Sequence, residues 1–372
     1  MQRTSLIRTF ADRLFLLAIF FLPWQTAMIL GGTTISGEPS AYGVLSVYVV
    51  EAMIAFAFVL RGRRQSDARV RATWRALYWV LAAAFFSLSF SSMAGVGWFH
   101  LIHVVAAGML YLLVTDERTN VRMILTVFLA GLIVPILFGW FQVLNGTSPA
   151  STLFGMGVKD AATPGIAVVE SGMDRLLRAY GTFPHPNIFG GYIAIGILAL
   201  AWLARYVRTR WQLIAALLAS TLLGATLIVT FSRSAWLGLF FALIVLMALM
   251  LWRRAIPPRR ALPILALGFA SVLVTLTVFH APVISRFDPS QRLEVISIEE
   301  RAGQYAMFDD IFLRAPLLGV GPGAYTFALA RLDPGHPAWS YQPIHNTLLL
   351  IFSELGVVGF LALASLITTA LG

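Results

Sequence analysis

Runs of about 20 apolar residues recur along this chain between short polar connections, and that is the length an α-helix needs to cross a bilayer. The composition agrees. Hydrophobic residues make up 59% of the 372 and charged residues 12%, against about 25% charged in soluble globular chains. A soluble enzyme or binding module is excluded, and runs of this length do not fit a barrel of short alternating strands. The expected fold class is an all-α polytopic integral membrane protein with about ten transmembrane helices.

The expected spans are 14–30, 43–60, 77–93, 96–114, 123–144 (kinked by Pro135), 188–204, 211–230, 235–252, 262–279 and 347–366. Every second connection is Arg-rich. Arg61, Arg63, Arg64, Arg69, Arg71 and Arg75 mark one; Arg205, Arg208 and Arg210 another; Arg253, Arg254, Arg259 and Arg260, around Pro257-Pro258, a third. Positive-inside bias places these connections, and both ends of the chain, in the cytoplasm. The long loops 145–186 and 280–346 then face the periplasm or exterior of a bacterial cytoplasmic membrane. The net charge of +10 is thus spent on topology, and no nucleic-acid partner is implied. Lys159 is the only lysine, and the absence of cysteine rules out disulfides and thiolate metal sites. Residues 1–372 read as a single transmembrane domain. The chain stops inside an apolar run, so it can be a fragment with further helices after Gly372.

Polar groups that neither topology nor solvation asks for are the candidates for function. Arg233, between Ser232 and Ser234, occupies a very short outer turn. It is either a fixed cation for an anionic ligand or a side chain snorkelling to lipid phosphates. In the first long loop, Arg175 and Arg178 share a face if the stretch is helical, with Asp174 able to neutralise one of them. Pro184, Pro186 and Asn187 fix the entry to the next span, Asn187 as its N-cap; that leaves Arg178 and His185 for a ligand. In the second loop, Ser297 and Glu300 have capping-box spacing, which starts a helix near Ile298. Arg301 would then sit at the positive helix end and call for an anion. Tyr305, Phe308 and Phe312 would form that helix's apolar face. Gly319-Val320-Gly321-Pro322-Gly323 lacks a preceding strand and loses a donor at Pro322, so it reads as a turn rather than a phosphate loop. His345 precedes Asn346, the expected N-cap of the last span, whose positive end keeps the imidazole neutral, as a general base requires. His100 and His103 lack a third ligand for a metal. Asp309-Asp310 reads as a solvated face, and Glu51 and Glu354 each need a partner inside the bundle.

Three of these pieces together resemble the O-antigen ligase and O-antigen polymerase superfamily of bacterial envelope glycosyltransferases. They are Arg178-Ala179-Tyr180-Gly181-Thr182-Phe183-Pro184-His185-Pro186-Asn187, then Ser232-Arg233-Ser234-Ala235-Trp236, and His345-Asn346-Thr347-Leu348. The similarity runs from about Arg178 to Glu354, or 178–372 with the last span. It implies a C-type glycosyltransferase fold and a donor glycan on undecaprenyl pyrophosphate. It also implies transfer outside the cytoplasmic membrane with neither metal nor cofactor. The acceptor would be a glycan, lipid A–core or a protein. Carried over residue by residue, Arg178 and Arg233 bind pyrophosphate and His345 is the catalytic base. Arg301, His185, Asn187 and Asn346 are the further candidates for the substrate site. The chemistry fits, because planar Arg forks bind pyrophosphate oxygens bidentately. The competing reading is a non-enzymatic transporter of an amphipathic anionic lipid or glycan. That reading asks for polar residues in broken helices near the bilayer midplane.

Overall fold

The computed structural model describes residues 2–62, 68–163, 165–171, 174–253, 259–290 and 292–371. Arg63, Arg64, Arg254, Pro257 and Pro258 lie outside the described residues, as do the side chains of Arg69, Asp174 and Ser297.

In chain order, α1 (Gln2–Phe21) leads into a hairpin of β1 (Ala27–Ile35) and β2 (Glu38–Tyr48), followed by α2 (Val49–Arg61), α3 (Ala68–Leu88) and α4 (Ala94–Val114). Next come α5 (Val121–Gly131), α6 (Ile133–Asn145), the two-residue strands β3 (Thr147–Ser148) and β4 (Lys159–Asp160), and the pair β5 (Val168–Ser171) and β6 (Asp174–Leu177). Helices α7 (Pro186–Leu203), α8 (Arg210–Val229), α9 (Arg233–Trp252), α10 (Ala261–Val278) and α11 (His280–Ser285) follow. The chain closes with α12 (Arg292–Ala306), α13 (Phe308–Phe312), α14 (Tyr325–Leu332) and α15 (Thr347–Leu371).

The protein is a polytopic, mostly helical membrane protein. Among the described residues seven helices are long and apolar enough to cross a membrane, counting Val121–Asn145 as one. Expected spans four to ten match helices within a few residues. The third is displaced, since α3 runs Ala68–Leu88 against an expected 77–93, and the first two fail. Pro23 follows the end of α1, and the residue before a proline avoids the α region. The β-branched Thr33-Thr34-Ile35 run then favours extended chain, and Ser36-Gly37, both at positive φ (54° and 84°), make the two-residue turn of a hairpin. Apolar residues such as Met28, Ile29 and Leu30 are exposed on β1, which is why hydropathy counted them as span. An all-α expectation therefore gives way to a helical fold carrying three two-stranded β pairs.

The described chain divides into two compact units. Unit 1 comprises Met1–Phe15, Ala27–Thr119 and Ile296–Gly372. In it α15 packs along α3, and α4 lies against α2, α3 and β2. Arg61, expected as a cytoplasmic marker, is buried. Its Nε donates to Asp12 Oδ1 (2.7 Å) and its Nη1 to Thr119 Oγ1 (2.8 Å) and the Leu113 carbonyl (3.3 Å), pinning α2 to the end of α4. Glu51 is not inside a span. It sits in the first turn of α2, accepting from Tyr48 N–H (3.0 Å) and meeting His103 Nδ1 (2.6 Å).

α15 is broken at Gly356, which has φ 64°. The groups freed there are taken up by residues 316–321. Val320 and Gly321 N–H donate to the Ser353 and Glu354 carbonyls, and Val357 and Val358 N–H donate to the Pro316 and Leu317 carbonyls. Irregular backbone at membrane depth survives only when buried in protein and paired in this way. The expected turn at Gly319–Gly323 is this segment, with all three glycines at positive φ. The Cβ of any other residue at Gly319 would lie 2.2 Å from the backbone of Glu354. Glu354 finds its partner here too, since its Oε1 accepts from Tyr325 N–H (3.4 Å).

Unit 2 comprises Leu16–Thr26 and Asn120–Val295. α8 packs against α10, and α7 against α5, α8 and α9. The expected kink in span five falls at Leu132, between α5 and α6. Pro135 has no N–H for the Gly131 carbonyl one turn back; Trp24 Nε1–H donates to that carbonyl instead (3.2 Å).

Candidate active site

Two of the three motifs come together in unit 2. The chain leaves α8, makes a tight turn through Thr230-Phe231-Ser232 and enters α9 at Arg233, with Ser232 as N-cap accepting from Ala235 N–H. Phe231 is buried at φ 48°, a left-handed backbone uncommon for an aromatic residue and found where surroundings over-determine it. The surroundings here are the other motif. Ala179 N–H donates to the Val229 carbonyl (3.0 Å) and Arg178 Nε to the Thr230 carbonyl (2.8 Å). Arg178 is 5% exposed, and its Nη2 donates to Asn187 Oδ1 (2.6 Å).

This geometry corrects the local expectations. Residues 174–177 are strand β6, so Arg175 and Arg178 do not share a helix face; Arg175 instead faces Glu170 (3.4 Å), as does Arg292 (2.6 Å). Asn187 is not the cap of α7. His185 is, with Nδ1 accepting from Asn187 N–H (3.1 Å) and Pro186 in the first turn. In neutral His185 that bond puts the ring proton on Nε2. Arg233 is half-buried, its Nη1 donating to the Arg286 carbonyl (2.6 Å).

Gln142 of α6, which sequence reasoning passed over, holds the arrangement. It is fully buried and uses its whole amide: Oε1 accepts from Tyr180 and Gly181 N–H (both 2.9 Å), and Nε2 donates to the Gly181 carbonyl (2.7 Å) and Ser148 Oγ (3.0 Å). Gly181 has φ 59°, so the turn that aims Arg178 requires both that glycine and this amide. A buried Gln in an apolar span was the available signal.

Beside this motif pair, still in unit 2, lies an apolar cavity of about 630 Å³. Trp236 from α9 and Val283 and Phe287 near Arg286 line it, together with Leu227, Leu239 and Phe269.

The third motif belongs to unit 1. Asn346 caps α15 as expected, Oδ1 accepting from Leu348 and Leu349 N–H (3.1 and 3.3 Å). His345 is exposed, and its backbone N–H donates to Gln304 Oε1 (3.0 Å). Partial desolvation of its ring, then the Arg301 guanidinium, pushes the imidazole pKa below its ordinary value, while Glu300 opposes them. Desolvation and Arg301 thus act in the same direction as the helix end. α12 begins at Arg292, not near Ile298, so Arg301 is mid-helix, where its charge disfavours protonation of His345. Tyr305 is exposed, whereas Phe308 and Phe312 stack on each other and Phe312 meets Phe352 of α15. Among the described residues no group of three or more His, Cys, Asp or Glu could hold a metal.

Two basic turns of unit 2 thus fold onto each other beside an apolar cavity. Residues 218–364 match the family model described as O-Antigen ligase, a family of glycosyltransferase-type enzymes acting in membranes on lipid-linked glycans. Arg233, Arg301, His345 and Asn346 fall inside that match; Arg178, His185 and Asn187 precede it. No curated protein and no solved structure matches the chain.

Proposed function

We propose that the protein transfers a glycan from undecaprenyl pyrophosphate to an acceptor glycan or lipid A–core on the outer face of the bacterial cytoplasmic membrane, as a ligase or polymerase with a C-type glycosyltransferase fold. The observation that carries this reading is the pairing in unit 2 of Arg178 and Arg233, through Thr230, beside the apolar cavity. The pyrophosphate would lie on the arginines and part of the polyprenyl chain in the cavity, whose volume is within the roughly 300–1,000 Å³ of small-molecule sites. His185 Nε2–H adds a donor, and Asn187 holds Arg178 in place.

In the reaction the acceptor hydroxyl oxygen attacks the anomeric carbon, forming the new glycosidic bond. The bond from that carbon to the phosphate oxygen breaks and polyprenyl pyrophosphate leaves. His345 takes the hydroxyl proton, which a lowered pKa allows near neutrality. The arginines stabilise the negative charge growing on the leaving oxygen. Arg301 adds to desolvation in disfavouring the imidazolium of His345 and is available to a substrate phosphate.

The transporter reading draws on one feature, the break in α15 beside half-buried Glu354. There the freed backbone groups are already bonded to residues 316–321 and the Glu354 carboxylate to Tyr325 N–H. The break is closed by protein rather than open to a solute. The test is purified protein in nanodiscs with a polyprenyl-pyrophosphate oligosaccharide and chelator, with and without lipid A–core. Release of polyprenyl pyrophosphate with a glycan on lipid A–core marks a ligase, and a lengthened lipid-linked glycan marks a polymerase. Saturable donor binding without turnover on any acceptor would favour the transporter.

A further inference from the structure

Lys159, the only lysine of the chain, has no place in the chemistry above, yet it stands beside it. It lies on β4 opposite Ser148, so the Gln142 amide that fixes the Gly181 turn also fixes, through Ser148, the strand pair carrying Lys159. Its Nζ is 4.9 Å from the centroid of the Tyr180 ring. That ring is 3% exposed and its hydroxyl accepts from Ala167 N–H (2.7 Å), so it is a fixed wall. The same ring meets the His185 imidazole at 6.4 Å between centroids, and Arg178 lies two residues before it.

The ammonium is half-buried, and desolvation pushes its pKa below the ordinary lysine value. Arg175 of the same loop has a carboxylate, Glu170, which it shares with Arg292 of α12. Among the described residues none pairs with Lys159, and Asp160 beside it turns Oδ1 to Ala162 N–H (2.7 Å). A π face attracts an ammonium but does not neutralise it. The arrangement is a partly desolvated cation against a fixed ring, without a counter-ion among the described residues.

We infer that Lys159 is a further ligand of the donor, contacting an oxyanion from the far side of Tyr180. This rests on the proposed donor chemistry and adds to it a residue outside the three motifs. The oxyanion is either the pyrophosphate or an acidic group on the first sugar. As a compact point charge, Lys159 suits a group presented at variable angles better than an Arg fork does.

The single lysine makes the test direct. Protein in nanodiscs is treated with an amine-acylating reagent, and modification of the Lys159 peptide is followed by mass spectrometry. Three probes are used: undecaprenyl pyrophosphate, the same carrier bearing a glucuronic acid residue, and undecaprenol as neutral control. Binding is read in the same samples by tryptophan fluorescence. The inference expects the acylation rate to fall about tenfold or more at saturation with an anionic probe, as an ammonium engaged by an oxyanion loses nucleophilicity, and to be unchanged by undecaprenol. Protection by both anionic probes assigns the pyrophosphate; protection only by the acidic-sugar probe assigns the sugar. Lys159→Met should weaken the protecting probe about tenfold, the scale of one charge-assisted hydrogen bond, and Lys159→Arg should weaken it less. Unchanged thermal stability of the Met variant would show that folding is not the cause. If both anionic probes bind while Lys159 keeps its rate, or if the Met variant binds as tightly as the parent, the inference is wrong and the donor reading stands. If neither anionic probe binds, the donor reading fails and the inference falls with it.

Discussion

Replacing Gln142 with Leu tests whether the Arg178 turn is built from α6 or stands by itself. The substitution keeps bulk but removes both acceptor bonds from Tyr180 and Gly181 N–H and both donor bonds, to the Gly181 carbonyl and Ser148. The site is fully buried, and the two N–H groups belong to a turn whose shape is set by Gly181 at φ 59°, so they have no other partner to turn to. A buried donor left unpaired costs about 1–3 kcal/mol; two give about 2–6 kcal/mol, before any loss from Ser148. Thermal unfolding of the purified protein should show a midpoint several degrees lower. Donor binding should weaken as well, because the turn that aims Arg178 loosens. Gln142→Glu keeps the accepting oxygen and, when protonated, one donor, and should fall between parent and Leu variant. An unchanged midpoint together with unchanged donor affinity for Gln142→Leu would show that the hub reasoning is wrong.

The remaining predictions concern the other proposed roles. If His345 is the base, the acid limb of kcat/KM reports its pKa, and activity falls as pH drops through that lowered value. Arg301→Gln removes a cause of the lowering and should move the limb to higher pH, while Glu300→Gln should move it lower; a limb indifferent to both variants would detach His345 from the chemistry. His345→Ala should abolish transfer while donor binding stays measurable, and equal loss of both would make the residue structural. Arg233→Lys should lower turnover, since a point charge replaces a fork, and full activity in a transfer assay would argue against a pyrophosphate contact there. Tyr325→Phe removes a fully buried hydroxyl that has no partner among the described residues and whose pKa burial, then Glu354, pushes up to about 12. It should therefore leave stability unchanged or raise it by about 1–3 kcal/mol, and a clear fall in the unfolding midpoint would point to a bond partner for that hydroxyl.

What could be read from the sequence follows the range of the forces involved. Helices α4 to α10 and α15 were placed within a few residues because hydropathy over a whole span is a sum of many small terms, and no single residue decides it. The β1–β2 hairpin was missed for the opposite reason. Its outcome turns on Pro23, the Thr33-Thr34-Ile35 run and the Ser36-Gly37 turn, a few residues whose backbone preferences outweigh an apolar composition that reads as span. Capping shows the same contrast. Asn346 was legible as a cap because only its own side chain and the next N–H groups are involved. Asn187 was not, because the cap went to His185 and the Asn187 amide was taken by Arg178, nine residues earlier.

The candidate site divides along the same line. Sequence could propose Arg178, Arg233 and His345 as unusual polar residues at helix ends, but what surrounds each one is tertiary. Thr230 and Asn187 for Arg178, the Arg286 carbonyl for Arg233, and Gln304 with Arg301 for His345 lie between 9 and 53 residues away in the chain. Gln142 and Lys159 went unused because each is unremarkable in type, and only its neighbours give it work: one amide fully bonded across three segments, one ammonium without a carboxylate. For a site of this kind the informative property is therefore not the presence of a cation but whether the fold has already given it a counter-ion. By that measure Arg175, of the same loop, and Arg292 of α12, both paired with Glu170, drop out as ligands, and Lys159 enters.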